Sequence, residues 1–322
     1  MRIIAIEEHF RTPEIATATA SDPYMQVLGA RGQEILTRLE DLGPMRLADM
    51  DTAGIDVQVI SHTLPATERI DAKEAIPLTR QANDVLAAGI ARHPTRFAGF
   101  ATLPMSDPEA AAVELDRAVT KLGFKGALIN GLPGGKFMDH PSFAPVFERA
   151  ASLGVPLYFH PAVPPAAVRE VYYDGFSPDV SYALATAAWG WHIEVGLHAL
   201  RLILGGVFDK FPKLQMILGH MGEGLPSMIW RADAKLTQKT SKLPRTIQEY
   251  FLDHFYVTTS GFFSLTALLN LQLVLGADRI IFAVDYPYNS SKEGRAFLES
   301  APMSRTDKEK IAHGNVERLL RL

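Results

Sequence analysis

The chain of 322 residues contains no cysteine, which excludes disulfide bonds, thiolate metal ligands and a cysteine nucleophile. It has no uncharged apolar run approaching the about 20 residues that a membrane span requires. A net charge of -4 provides no basic excess for binding nucleic acid or an anionic membrane. No signal peptide, low-complexity tract or flexible linker is recognisable. These absences predict a cytoplasmic protein whose partner is a small molecule, not nucleic acid or a membrane.

Eight short apolar runs alternate with amphipathic stretches, and each run has the length and composition of a buried strand. These predicted strands are 3–6, 56–62, 97–103, 126–130, 156–160, 214–220, 255–259 and 280–285. Strands that alternate with helices predict an α/β fold, a (β/α)8 TIM barrel formed as one domain over residues 1–322. An open doubly wound sheet is the alternative, but no glycine-rich phosphate loop opens the first helix. The long connection at about 10–42 is predicted to be a lid.

Ionisable side chains stand at the carboxyl ends of several predicted strands. They are Glu7 and His9 after the first strand, His160 in the fifth, His220 in the sixth and Asp285 in the eighth. Side chains two apart on a strand share a face, so Glu7 and His9 are expected together with Glu8 on the opposite side. Active sites of such barrels lie at the carboxyl ends of the strands. The five side chains are therefore predicted to meet in one pocket that binds a metal.

Each of these residues also has an ordinary structural interpretation, as a strand-end, turn or capping residue. Glu223 lies three residues after His220, where it can hold that imidazole in place. His62 ends the second predicted strand and is expected to line the pocket. His192 and His198 fall in a predicted helix, where packing or surface positions are the simpler interpretation.

Four motifs resemble those of the amidohydrolase superfamily. They are Glu7-x-His9, Phe159-His160-Pro161, the segment 218–226 and Val284-Asp285-Tyr286-Pro287. Within it, the chain is similar nearly end to end to the ACMSD-like branch, and there to the γ-resorcylate and 2,3-dihydroxybenzoate decarboxylases. The resemblance implies a metal held by Glu7, His9, His160 and Asp285. It further implies catalytic assistance from His220 and Glu223, substrate contact by Arg231, and assembly into a homodimer or homotetramer.

The chain departs from that branch around the expected pocket. It has Ala162 where an arginine follows the His-Pro pair, Tyr286 where tryptophan is usual, and His62 where asparagine or a similar residue is usual. Asn130 replaces the lysine that would bridge two metals, which favours a single ion. The predicted substrate contacts are Arg231, His62, Tyr24 and Tyr286.

Two imidazoles and two carboxylates suit one Zn2+ or Mn2+ ion with open positions for a substrate. An ortho-hydroxybenzoate could bind through its carboxylate and phenol oxygens. Asp285 would then take a proton from the phenol and pass it to the ring carbon, after which CO2 leaves. The alternative is hydrolysis of an ester, lactone or amide, with Asp285 taking a proton from metal-activated water. A hydratase or lyase acting on a non-aromatic acid, or a non-catalytic metal-binding scaffold, is also open.

Overall fold

The computed structural model describes residues 1–22 and 32–322, and eight parallel strands in them form the centre of the molecule. Strands β1 to β8 are Ile4–Phe10, Val57–His62, Phe97–Gly99, Ala127–Asn130, Leu157–His160, Met216–Leu218, Phe255–Thr258 and Ile280–Ile281. Continuous ladders join β1 to β3 and β4 to β8. Single parallel bridges, Ala101 with Ala127 and Ile6 with Ala283, join these two sheets at both edges. The predicted closed (β/α)8 barrel is thereby confirmed.

Helices surround the strands and follow them in chain order. Helices α1 to α17 are Pro13–Ala18, Gln33–Glu40, Pro44–Ala53, Ala72–Arg92, Pro108–Leu122, Ala144–Leu153, Ala166–Tyr172, Pro178–Ala185, Gly190–Leu204, Val207–Lys210, Leu225–Lys235, Gln238–Ser241, Ile247–His254, Leu265–Leu275, Ser291–Ser300, Arg305–Glu309 and Asn315–Leu320. In the described part of the chain, no helix is both long enough and apolar enough to cross a membrane.

Alternation along the strands builds two separate apolar layers. Ile4 and Ile6 point into the barrel, where they pack with inward side chains of the other strands. Ala5, between them, points outward into the larger layer that joins the strands to the surrounding helices. The inner layer fills the barrel, so polar groups beyond it are held at the carboxyl ends of the strands.

A bulge in β1 sets which residues of that strand face inward. Ile6 pairs with Val59 and Glu8 with Ile60, so Glu7 is an extra residue with no partner on β2. Its φ of 64° lies in the left-handed region, which is costly for a residue with a side chain. Simple alternation from Ile6 would have sent His9 outward; the extra residue shifts the phase and turns it inward.

The connection that was predicted to be a lid carries α1 and α2. Leu39 of α2 packs with Leu64, Val163 and Trp191 from loops and a helix at the barrel mouth. Tyr24 and the rest of residues 23–31 lie outside the described residues. The described part of the connection therefore lies against the carboxyl ends of the strands.

Candidate active site

Four side chains converge at the carboxyl ends of β1, β5 and β8. Glu7, His9, His160 and Asp285 each offer one oxygen or nitrogen atom, and these atoms lie within 4.8 Å of one another. Nε2 of His9 is 3.2 Å from Oδ1 of Asp285, and Nε2 of His160 is 3.5 Å from Oε1 of Glu7. A single ion with bonds of about 2.0–2.2 Å can span this spacing after small side-chain shifts.

The Glu7 carboxylate is divided between a hydrogen-bonded oxygen and a free one. Its Oε2 accepts hydrogen bonds from the hydroxyls of Tyr158 on β5, Thr258 on β7 and Ser260 in the turn after β7. Among the described residues, its buried Oε1 has no hydrogen-bond partner, and neither has Nε2 of His9. Buried polar atoms without partners are costly, and here they face the same point. These two buried atoms without partners indicate that the residues fit a divalent cation.

Asp285 is held from behind by Glu8. The Glu8 carboxylate accepts the backbone N–H groups of Val284 at 2.9 Å and Tyr286 at 3.1 Å, the two residues that flank Asp285. Asp285 itself has a φ of 70°. Its Oδ2 accepts a hydrogen bond from Asn289 at 2.9 Å, which leaves Oδ1 directed at His9. Glu8 and Asn289 therefore fix a carboxylate that keeps 13% of its side-chain surface exposed.

A second cluster borders the first and is built on the turn that follows β6. Nδ1 of His220 lies 2.8 Å from Oε1 of Glu223, and Nε2 of His220 lies 3.7 Å from Oε1 of Glu7. His192, on α9, places its Nδ1 2.5 Å from the other oxygen of Glu223. His220 and Glu223 both have positive φ values. The prediction that Glu223 holds His220 agrees with this geometry, whereas His192 is a pocket residue that the sequence analysis assigned to packing or the surface.

Burial and neighbouring charges shift the ionisation of the site. Burial raises the pKa of Glu7 to about 8 even with His220 beside it, so a further cation is needed to keep its carboxylate charged at neutral pH. Burial also opposes charge on His220, but the carboxylates of Glu223 and Glu7 outweigh it and raise its pKa to about 10. Burial and nearby imidazoles lower the pKa of His160 well below its ordinary value. His160 is therefore neutral, as a metal ligand must be, and His220 forms an ion pair with Glu223.

A cavity of about 220 Å3 opens above both clusters. Its lining residues include the polar groups just described together with aromatic and small side chains: Leu64, His160, Ala187, Trp191, His192, His220, Ser260, Gly261, Phe262, Asp285, Tyr288 and Asn289. Convergent polar groups between aromatic walls are typical of a small-molecule site.

Three predicted substrate contacts do not reach this cavity. His62 accepts the Thr12 N–H at Nε2 and bonds the Thr63 carbonyl at Nδ1, so both ring nitrogens serve the backbone. Tyr286 is buried in the loop after β8, where the Arg46 guanidinium lies 4.6 Å from its ring centroid. Arg231 is exposed on α11. The three residues therefore lie outside the cavity lining, where Tyr288 stands instead, and their contact with a substrate stays a prediction.

Several site residues were not predicted, mostly because their partners lie far away along the chain. Tyr158 could have been found, since it lies two residues before His160 and therefore shares its inward face. Ser260 and Asn289 lie in turns after the strands, and Glu8 was taken only as the residue opposite Glu7. Nothing in the periodicity of α9 marks His192, because its partner is thirty-one residues away.

Comparison with known proteins agrees with the barrel and its site. A family model described as Amidohydrolase matches residues 8–322. Gamma-resorcylate decarboxylase of Polaromonas sp. strain JS666 is 41% identical over 331 residues, which cover 99% of this chain and 98% of that protein. Dihydroxybenzoic acid decarboxylase from Polaromonas sp. JS666, solved with manganese and the inhibitor 2-nitroresorcinol, has a TM-score of 0.89 and 39% identity, covering 100% of this chain and 97% of that one.

A second decarboxylase of known structure is equally similar in fold. The 5-carboxyvanillate decarboxylase of Novosphingobium aromaticivorans, solved with manganese and 4-hydroxy-3-methoxy-5-nitrobenzoic acid, has a TM-score of 0.91 and 35% identity. That alignment covers 100% of this chain and 96% of the other. The family match spans nearly the whole chain, and these relatives align with it from end to end. The chain belongs to the amidohydrolase family.

Proposed function

We propose that this protein, acting as one barrel domain, is a metal-dependent non-oxidative decarboxylase of a hydroxylated benzoic acid, a carboxy-lyase. The observation that carries the proposal is the near-complete alignment, at 41% identity, with a gamma-resorcylate decarboxylase. The converging carboxylates and imidazoles supply the chemistry that such a reaction needs. A hydrolase would use the same ligands, so the relatives, and not the ligand set, favour carbon–carbon bond cleavage.

We infer that Glu7, His9, His160 and Asp285 would hold one divalent ion, with Mn2+ favoured over Zn2+. Two solved relatives contain manganese, and two carboxylates beside two imidazoles suit it. When bound, the ion would supply Lewis-acid polarisation and a template for the carboxylate and adjacent phenol oxygens of the substrate. The chain's own part is to keep the free Oε1 of Glu7 and Nε2 of His9 turned inward.

The reaction consumes one proton, since a benzoate anion and a proton give the arene and CO2. Asp285 is the proposed proton carrier because its Oδ1 faces the metal-binding point while its side chain stays open to the cavity. It would take the proton from the phenol and deliver it to the ring carbon that bears the carboxylate. The ring–carboxylate bond then breaks and its electron pair restores the aromatic ring. His220, paired with Glu223, would assist that transfer from the opposite wall.

The cavity supports a substrate with a single aromatic ring. Its volume of about 220 Å3 is below the range of drug-sized pockets, which begins at about 300 Å3. Trp191, Phe262 and Tyr288 offer flat faces on its walls. Dihydroxybenzoates and similarly small hydroxylated acids therefore fit better than extended esters or peptides.

We also propose that the protein is a homodimer or a homotetramer. Exposed apolar side chains on α9, α11, α14 and the adjoining loops form what we call the apolar face: Trp189, Ile193, Leu197, Met228, Trp230, Phe262, Leu265, Leu269 and Leu273. These helices meet around a depression of about 190 Å3 that Trp189, Ile193 and Phe262 help to line. An exposed apolar surface of this extent is typical of a subunit interface.

The test is a substrate screen on protein reconstituted with Mn2+ or Zn2+. The panel contains salicylate, 2,3- and 2,6-dihydroxybenzoate, 5-carboxyvanillate, and a set of esters, lactones and amides. We expect CO2 release from at least one hydroxybenzoate, higher with Mn2+, and about a 100-fold or greater loss in Asp285→Asn. Asp174→Asn, an exposed aspartate away from the cavity, is the matched control and should keep its activity.

Cleavage of an ester, lactone or amide without CO2 release would replace this proposal with a one-metal hydrolase. Activity with equal rates after complete metal removal, verified by elemental analysis, would contradict the metal-binding role of the four residues.

A further inference from the structure

Glu223 is shared by two histidines that approach it from different elements. Oε1 lies 2.8 Å from Nδ1 of His220 and Oε2 lies 2.5 Å from Nδ1 of His192. Glu223 is 1% exposed, so water does not compete for these oxygens. Burial raises the pKa of Glu223, but His220 and His192 outweigh burial and leave it lowered. The carboxylate is therefore ionised, and each oxygen has an imidazole donor.

The surroundings of His192 determine which of its nitrogens carries the proton. A carboxylate only accepts hydrogen bonds, so Nδ1 of His192 must donate to Glu223. Nε2 lies 3.0 Å from the indole nitrogen of Trp191, which only donates, and 3.0 Å from the Ala187 carbonyl, which only accepts. Nε2 consequently has a partner in the neutral and in the cationic ring. The Nδ1–H bond to Glu223 persists in either form.

Helix α9 is fixed against the turn that bears Glu223. Gly196 lies one helical turn after His192 and on the same face. A Cβ at Gly196 would lie 2.8 Å from the Glu223 carbonyl oxygen, so glycine permits this close approach. Residues 220–224 all have positive φ values, and this run of five is strained because three of them are not glycine. The turn therefore depends on contacts from outside itself.

We propose that His192 is a positioning residue for the reaction, acting through Glu223 to hold the imidazole of His220 toward the cavity. This role rests on the proposed decarboxylase function. His220 receives its orientation from a carboxylate with two oxygens, and in the described part of the chain His192 is the donor that holds the second oxygen. Without that donor, Glu223 can rotate, and Nε2 of His220 loses its fixed distance of 3.7 Å from Glu7.

The test compares two substitutions that differ in one hydrogen-bond donor. His192→Asn places an amide N–H near the position of Nδ1, whereas His192→Leu has similar bulk and no donor. We expect His192→Leu to lower kcat by about 10- to 100-fold with KM changed by less than about threefold, and His192→Asn to recover most of kcat. His198→Asn, a buried histidine of the same helix outside the cavity, controls for general loss of stability.

A second measurement does not depend on activity. Proton NMR of the protein labelled with 15N-histidine should show two protons downfield of the amide region, from the Nδ1–H groups of His192 and His220. In His192→Leu, the His192 signal should vanish and the His220 signal should shift. Absence of a His192 Nδ1 proton in the unsubstituted protein would overturn the proposal, even if His192→Leu fails to fold. Unchanged kcat in folded His192→Leu would overturn it as well.

The failure of the proposed function gives a different result. In that case the unsubstituted protein releases no CO2 from any hydroxybenzoate, while the two downfield protons are still present. Equal loss of kcat in His192→Asn and His192→Leu, with KM raised in both, would instead make His192 a wall of the cavity and exclude positioning through Glu223.

Discussion

Glu8 is a buried carboxylate whose substitution should weaken the metal site without touching a ligand. Its two oxygens accept the N–H groups on either side of Asp285, and the guanidinium of buried Arg46 lies near it. Glu8→Gln would place an amide N–H against one of these backbone N–H groups, so one of the two hydrogen bonds is lost. We expect the Mn2+ dissociation constant to rise by about 10- to 100-fold, measured by calorimetric titration of metal-free protein.

The matched control for Glu8 is Glu14→Gln, the same change at an exposed position on α1. Its Mn2+ affinity should equal that of the unsubstituted protein. If Glu8→Gln binds Mn2+ equally tightly, the position of Asp285 does not depend on the two hydrogen bonds from its flanking amides.

His198 should make the stability depend on pH below neutrality. Burial lowers its pKa to about 3, and its Nε2 accepts the Met138 N–H. The unfolded chain binds a proton near pH 6.5 and the folded chain does not, so stability is lost as pH falls from about 6.5 toward 3. Between pH 7 and 5 this one group should cost about 2 kcal/mol.

The measurement is urea unfolding at both pH values for the unsubstituted protein and for His198→Gln. Glutamine can accept the same N–H and does not titrate. The free energy of unfolding of His198→Gln should therefore fall by about 2 kcal/mol less between pH 7 and 5 than that of the unsubstituted protein. Equal losses in the two proteins would show that His198 is protonated in the folded state.

The grouping of Glu7 with His9 was predictable, but the cause of the grouping was not. The rule of alternation gave the correct pair, although in the structure the extra residue at Glu7 produces it. A bulge has no reliable sequence pattern when its left-handed residue is not glycine. The partners of Glu223 were predictable only for His220, three residues away, because His192 is brought in by tertiary packing.

Gly196 of α9 packs closely on the turn that bears Glu223. A methyl group there would lie 2.8 Å from the Glu223 carbonyl oxygen, so helix or turn must move. We expect Gly196→Ala to lower stability by about 1–3 kcal/mol, although alanine favours helices. It should also lower kcat, because the shift reaches Glu223 directly. Urea unfolding and steady-state kinetics measure the two effects.

Gly314 is the control for Gly196, since it is helical with a φ of -60° and an added Cβ would lie 3.6 Å from its nearest neighbour. Gly314→Ala should be neutral or stabilising and should leave kcat unchanged. Equal free energies of unfolding for the two variants would mean that α9 can shift to make room for the added methyl group without losing stability.

Two strands with compact apolar runs were predicted closely, whereas the carboxyl end of the eighth strand was not. The fourth and fifth strands agree with prediction within one residue, because each is a compact apolar run. The eighth was predicted over 280–285 but ends at Ile281, since Asp285 adopts a left-handed conformation and Val284 donates to Glu8. At functional sites, tertiary hydrogen bonds override the local pattern.

At the scale of the whole molecule, the apolar face should control self-association. Leu273 is 88% exposed and Trp230 is 72% exposed, which leaves large apolar side chains in water. We expect sedimentation velocity to give the mass of a dimer or tetramer, and Leu273→Glu to shift it toward the monomer. Val113→Glu, at a site 71% exposed on α5, is the control and should leave the mass unchanged. A monomeric unsubstituted protein at micromolar concentration would contradict the proposed assembly.

The four converging side chains span almost the whole polypeptide, because Glu7 and His9 lie on β1, His160 on β5 and Asp285 in the loop after β8. A ribosome must therefore have synthesised almost the whole chain before these atoms can meet. No shorter nascent segment contains the complete set, so an ion that requires all four side chains could bind only once the barrel has closed.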